Sequence, residues 1–266
     1  MPPSRRPTLL FIHGAWMTSE CWGPFRGFFE ERGHRTIAPA WPGKEGGPDA
    51  VRGNPRPLAG LGGKQIIDHY ARIIEKLPEP PVLVGHSFGG LFVQVLLDRG
   101  LGAAGVAINS AAPRGVLVTQ PSALRAVAPV LANPRNRSWT VPMSPRRFHR
   151  HFAHTLPKVE ARAAHARHVT PETGRIFFEA GLAGLTRPAE SPFTIDYAKP
   201  DRAPLLLMAG GKDRIAPASL SRANHRRYRS GVVDFAEFPD RTHWTIAEEG
   251  WETVALRISR WLDGHG

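Results

Sequence analysis

Pro81-Val82-Leu83-Val84-Gly85-His86-Ser87-Phe88-Gly89-Gly90-Leu91 is the stretch on which the reading of this 266-residue chain turns. Val82 to Val84 is a short apolar run of the kind that forms a buried strand. Leu91, Phe92, Val95 and Leu96 then recur at helical spacing, and Gly100 supplies a stop. Between them, Gly85-His86-Ser87-Phe88-Gly89 fits G-x-S-x-G. Strand, sharp turn and helix are the context in which that pattern makes a nucleophile elbow. A serine held in a strained turn needs neighbours without bulk, which Gly85 and Gly89 provide. A glycine-rich turn that opens a helix would also suit a phosphate, so the remainder of the chain has to decide.

Working outward, the chain alternates strands and helices. Thr8 to Ile12 is a continuous apolar run, followed by His13-Gly14-Ala15-Trp16. Trp22, Phe25, Phe28 and Phe29 mark a helix, and Thr36 to Ala40 a second strand. Trp41 to Gly63, rich in Gly and Pro, reads as a long loop. Ile66 to Leu77 gives an amphipathic helix stopped by Pro78. After the elbow come a fourth strand, Ala103 to Ile108, and, much later, Leu205 to Ala209 and Val232 to Phe238. Gly250 to Leu262 closes the chain as a helix. Such alternation predicts a mostly parallel sheet covered on both faces.

Between Pro113 and Pro200 the pattern changes to helices broken by prolines. This segment carries 13 Lys and Arg against 5 Asp and Glu, so +8 of the chain's net +12 sits there. The expected organisation is a core of residues 1–112 and 201–266 with a helical cap over 113–200. Its histidines, His149, His151, His154, His165 and His168, fall on polar helical faces and are expected to be solvated. The basic balance raises nucleic acid as a partner, but no dense basic run, zinc-finger spacing or RNA-binding aromatic pattern supports it. A single cysteine, Cys21, excludes an intramolecular disulfide and a thiolate metal cluster. The first apolar run is too short for a signal-peptide core, and nothing approaches the roughly 18 apolar residues of a membrane helix. The expectation is a soluble cytoplasmic protein without metal or cofactor.

A serine hydroxyl needs a base to take its proton and an acid to orient that base. Catalytic groups in such sheets gather past the carboxyl ends of the strands. Asp213 is the first acid past Leu205 to Ala209. The position after the fourth strand reads Asn109-Ser110-Ala111 and offers none. His243 lies past the last strand, just before the last helix. Asp240 is a rival acid too close in sequence to His243. Two backbone N–H groups must receive the oxygen of a tetrahedral intermediate. Phe88 follows the serine, and Ala15 stands in the loop after the first strand. Trp16 either lines the pocket or packs beneath it.

His13-Gly14-Ala15-Trp16, the elbow, Gly211-Lys212-Asp213 and Thr242-His243 together resemble the α/β-hydrolase fold. The likeness is to the group of small serine hydrolases that includes carboxylesterases, plant-type methyl esterases, hydroxynitrile lyases and cofactor-free haloperoxidases. It covers nearly all of the chain outside the cap. It implies about six mostly parallel strands flanked by helices, a cap inserted after the fourth strand, a triad of Ser87, Asp213 and His243, and an oxyanion hole of Ala15 and Phe88. The chain begins at what is usually the family's third strand, so the leading antiparallel hairpin is not expected. Many relatives carry Asp-x-x-Gly-His-Gly-x-Ser after the second strand; here the loop reads Ala40-Trp41-Pro42-Gly43-Lys44-Glu45-Gly46. Dehalogenase and epoxide hydrolase relatives use aspartate at the elbow, and hydroxynitrile lyases a lysine after the histidine, where this chain has Ser87 and Trp244.

The implied reaction is hydrolysis of an ester, lactone, thioester or amide with a small to medium, largely apolar body. Cap aromatics Trp139, Phe148, Phe152, Phe177 and Phe178 join Trp16 as candidate walls; each fits cap-to-core packing equally well. The basic cap leaves an anionic half-ester open as substrate. A peroxide-using activity of the haloperoxidase kind and a non-catalytic small-ligand receptor on the same fold remain alternatives. Oligomeric state is not legible.

Overall fold

The computed structural model describes residues 6–265; Met1 to Arg5, which begin the charged N-terminal stretch, and Gly266 lie outside the described residues. In chain order the first half runs β1 (Leu9–Ile12), α1 (Gly23–Glu30), β2 (Thr36–Ile37), α2 (Gly47–Gly53), α3 (Gly63–Ile74), β3 (Val82–His86), α4 (Phe88–Asp98) and β4 (Ala104–Ile108). An insertion follows with α5 (Pro121–Leu131), β5 (Thr140–Val141), α6 (Pro145–His151), α7 (Lys158–His168), β6 (Glu172–Thr173) and α8 (Arg175–Leu182). The chain then returns through β7 (Leu205–Gly210), α9 (Ala218–His225), β8 (Val233–Phe238) and α10 (Trp251–His265).

Six strands form one sheet in the order β2-β1-β3-β4-β7-β8, and every pairing in it is parallel. The reason lies in side-chain type. Leu9, Leu10, Phe11 and Ile12 of β1 and Val82, Leu83 and Val84 of β3 are all at 0% exposure. Apolar on both faces, these strands need helices on both sides, which parallel crossovers supply. Each fully buried Leu or Phe contributes about 1.5–3 kcal/mol relative to exposure. Strand β3 sits near the centre of this sheet, so the elbow at its carboxyl end is set on its most constrained part.

Three local expectations are corrected. The Gly- and Pro-rich stretch after β2 is not loop throughout: α2 forms within it, entered through Gly46 and Gly47, both at positive φ. The insertion is not purely helical either, because β5 and β6 pair antiparallel as a separate two-stranded sheet. The predicted second strand is also shorter than its apolar run, ending at Ile37.

Candidate active site

Ser87 sits between β3 and α4 with φ 56° and ψ −120°. A non-glycine residue avoids positive φ, and this turn is held by its surroundings. Ser87 N–H donates to the Ile108 carbonyl at 3.0 Å, and its own carbonyl accepts from Ala111 N–H at 3.1 Å. A Cβ on Gly85 would run into the Gly89 carbonyl, and one on Gly14 would lie 2.7 Å from the Ser87 Cβ. The two sequence motifs therefore touch, and neither tolerates a side chain at that point.

Ser87 Oγ lies 3.1 Å from His243 Nε2, and His243 Nδ1 lies 2.6 Å from Asp213 Oδ2. A carboxylate only accepts, so Nδ1 carries the proton and Nε2 faces the serine hydroxyl as acceptor. His243 and Asp213 side chains are fully buried. The other Asp213 oxygen accepts from the N–H groups of Ile215 and Ala216 at 2.7 and 2.8 Å. Asp240, the rival acid, is on the surface and pairs with Lys212 at 3.0 Å. Among the described residues, neither Ala15 N–H nor Phe88 N–H donates to a protein acceptor.

Several supporting groups carried no signal in the sequence. Asn109, at φ 46°, donates its Nδ2 to the Thr242 carbonyl at 2.9 Å and accepts from Gly210 N–H at 2.7 Å. Glu248 accepts from both the N–H and the hydroxyl of Thr242, at 3.0 and 2.7 Å. His86 donates from Nε2 to the His243 carbonyl at 2.8 Å, its ring 4.8 Å from the His243 ring. Burial above all, then the neighbouring His243, pushes the His86 pKa well below its ordinary value. A neutral His86 places no like charge beside an imidazolium forming on His243.

Beside Ser87 and His243 opens a cavity of about 500 Å³. Its walls include Ala15, Trp16, Phe88, Phe152 and Phe177, together with aliphatic residues of the insertion such as Leu124, Val127 and Leu131. Among the described residues, the lining holds no Lys, Arg, Asp or Glu. Trp16 both faces the cavity and packs on Phe177, ring centroids 4.5 Å apart.

Of the six aromatics named from sequence, the structure brings Trp16, Phe152 and Phe177 to the cavity and leaves the other three out. Trp139 is 59% exposed. Phe148 is buried behind the wall, stacked on Phe152 and edge-on to Trp244. Phe178 follows Phe177 on α8, and one residue along a helix turns a side chain away from its neighbour's face. The aliphatic wall was legible as a helical stripe, since Leu124, Val127 and Leu131 recur on one face of α5. The cap histidines are not solvated as expected. His151 is 7% exposed, and His149 and His165 bond the carbonyls of Leu156 and Met143 at 3.0 and 2.7 Å.

The same fold recurs in known proteins. The alpha/beta hydrolase family signature matches residues 9–257. A monoacylglycerol lipase from Paleococcus ferrophilus superimposes with TM-score 0.70 at 21% identity, covering 98% of this chain and 96% of that one. A methylesterase from Arabidopsis does so with TM-score 0.67 at 15% identity, covering 97% and 99%. A protein provisionally described as a non-heme bromoperoxidase from Mycobacterium tuberculosis gives TM-score 0.71 at 18% identity, covering 98% and 93%. A search of curated protein sequences finds no significant match. At these identities the solved structures speak for the fold. With the family signature spanning nearly the whole described chain, the protein belongs to the alpha/beta hydrolase family.

Proposed function

We propose that this hydrolase cleaves esters with a medium-sized apolar acyl group through an acyl-enzyme on Ser87. The observation that carries this reading is the unbroken series Asp213 to His243 to Ser87, at 2.6 and 3.1 Å, opening on an apolar cavity of about 500 Å³. Residues 113–200 act as the cap that supplies most of the aliphatic wall.

Ser87 Oγ attacks the ester carbonyl while its proton passes to His243 Nε2. The carbonyl oxygen becomes an oxyanion and accepts from Ala15 N–H and Phe88 N–H, each worth about 3–4 kcal/mol to the transition state. Asp213 stabilises the imidazolium. Collapse breaks the bond to the alkoxy oxygen, which leaves with the proton from His243. Water then attacks the acyl-enzyme, with His243 again taking a proton, and the carboxylic acid departs as Ser87 regains its hydrogen.

The wall chemistry selects against a charged substrate. A carboxylate or ammonium inside a lining with no charged partner bears the full penalty of desolvation. The basic groups of the cap do not line the acyl site, and an anionic half-ester is disfavoured there. The test is turnover of p-nitrophenyl esters from acetyl to octanoyl, beside Ser87→Ala. Parent turnover that rises with acyl length and vanishes in the variant supports the reading. Turnover that survives Ser87→Ala overturns it.

A further inference from the structure

Trp16 has φ 62°, a conformation that a bulky residue keeps only when its surroundings demand it. Three residues of the cap, on two segments, make that demand. Trp16 N–H donates to Glu172 Oε2 at 2.9 Å, its carbonyl accepts from Thr170 N–H at 2.9 Å, and its indole N–H donates to the Val141 carbonyl at 3.1 Å. Glu172 is in turn fixed by Lys44. The Lys44 ammonium lies 2.7 Å from Glu172 Oε2, 2.8 Å from the Met17 carbonyl and 3.3 Å from Thr170 Oγ1. Both side chains are at 0% exposure.

We propose that Lys44 and Glu172 are positioning residues for the oxyanion hole, an inference that rests on the acyl-enzyme reading of Ser87. The Ala15 N–H belongs to the peptide immediately before the one that Glu172 holds. With Trp16 N–H pinned by a carboxylate and Met17 carbonyl pinned by an ammonium, the loop after β1 cannot rotate, and Ala15 N–H keeps its direction beside Ser87. Lys44 lies in the loop from Ala40 to Gly46, which lacks the Asp-x-x-Gly-His-Gly-x-Ser pattern, and Glu172 lies in β6 of the cap. The core loop and the cap therefore grip the oxyanion loop jointly from outside the catalytic series. Burial lowers the Lys44 pKa and Glu172 opposes that shift, as suits two charges that exist at this place only as a pair. Charge-assisted bonds of this type are also the stronger kind.

Removing one partner alone would strand a buried charge and threaten folding. Paired substitutions avoid this. Lys44→Met with Glu172→Gln removes the charges and keeps an acceptor for Trp16 N–H; Lys44→Met with Glu172→Leu removes the acceptor too. The readouts are kcat and KM for one p-nitrophenyl ester, affinity for a trifluoromethyl ketone whose serine adduct carries the tetrahedral oxygen, and thermal unfolding. In the Leu variant kcat and ketone affinity should each fall roughly 10- to 100-fold, somewhat less than the loss of a whole donor, while KM stays within about twofold. The Gln variant keeps the acceptor for Trp16 N–H but loses the ammonium on the Met17 carbonyl, so its kcat and ketone affinity should fall between those of the parent and the Leu variant, roughly 3- to 10-fold.

A folded Leu variant with parental kcat and ketone affinity overturns the inference. The Gln variant keeps the test decisive where the Leu variant does not fold: a folded Gln variant with parental kcat and parental ketone affinity overturns it as well. A parent protein that turns over no ester overturns the hydrolase reading and this inference together. That outcome is distinct from an active parent beside unaffected variants.

Discussion

The Asn109 side-chain amide donates to the Thr242 carbonyl at 2.9 Å, so the end of β4 holds the residue that precedes His243. The same side chain accepts from Gly210 N–H, at the end of β7 and just ahead of the loop that carries Asp213. One buried amide thus spaces the acid loop and the histidine loop. Asn109→Ala leaves both backbone groups unpaired and should lower stability by about 1–3 kcal/mol. It should also reduce kcat by about tenfold or more with KM little changed, since misplacement of a catalytic group by about 1 Å is costly. Urea unfolding and steady-state kinetics check the two halves separately.

The proposed series of Ser87, His243 and Asp213 gives steeper expectations. Ser87→Ala should cost about a million-fold in kcat. Asp213→Asn should cost about ten-thousand-fold, because an amide at that point holds the imidazole in the wrong tautomer. Both variants should keep the parental unfolding midpoint within a few degrees by thermal scan. An Asp213→Asn enzyme of near-parental kcat would remove the acid from the account.

Acyl preference should follow the cavity wall. Each methylene buried against it is worth about 0.8 kcal/mol, so kcat/KM should climb from acetyl to octanoyl esters. Val127 faces this cavity. Val127→Trp fills part of it and should depress kcat/KM for the octanoyl ester by about 10- to 200-fold while leaving the acetyl ester close to parental. An equal fall on both esters would mean that the wall does not hold the acyl chain.

Acid should loosen the cap. The pKa values of His151 and His168 are lowered to about 4, in each case by burial first and then by nearby arginines, Arg147 and Arg150 for the one and Arg167 and Arg52 for the other. The unfolded chain, with ordinary values near 6.5, therefore binds more protons than the folded one between about pH 4 and 6.5. Stability must fall as pH drops through that window and be fully present above it. Thermal midpoints measured from pH 7.5 to 4.5 should decline, and His151→Asn with His168→Gln should flatten the decline. A midpoint independent of pH over this range would contradict the assignment.

What the sequence made legible follows from how local each signal is. The strands were readable because Leu9 to Ile12 and Val82 to Val84 are unbroken apolar runs, and a strand buried on both faces needs nothing more. The meeting of Asp213 and His243 beside Ser87 was readable because both stand just past strand ends, where few acids or histidines compete. Phe148 and Phe178 were not separable from Phe152 and Phe177, since a helical stripe predicts burial but not which neighbour is buried against. The cap histidines were misread for the related reason that a polar helical face is solvated only where nothing packs on it. The pairing of Lys44 with Glu172 had no local mark at all: two single charges 128 residues apart meet only once the chain has folded.

Intact-mass labelling with a fluorophosphonate tests the central claim most directly. A serine activated by His243 attacks phosphorus and displaces fluoride, leaving one stable adduct. The account predicts a single adduct on the parent protein, none on Ser87→Ala, and much slower labelling of His243→Ala, all at neutral pH. A parent protein that stays unmodified, or an adduct that persists in Ser87→Ala, would contradict the assignment of Ser87 as the nucleophile.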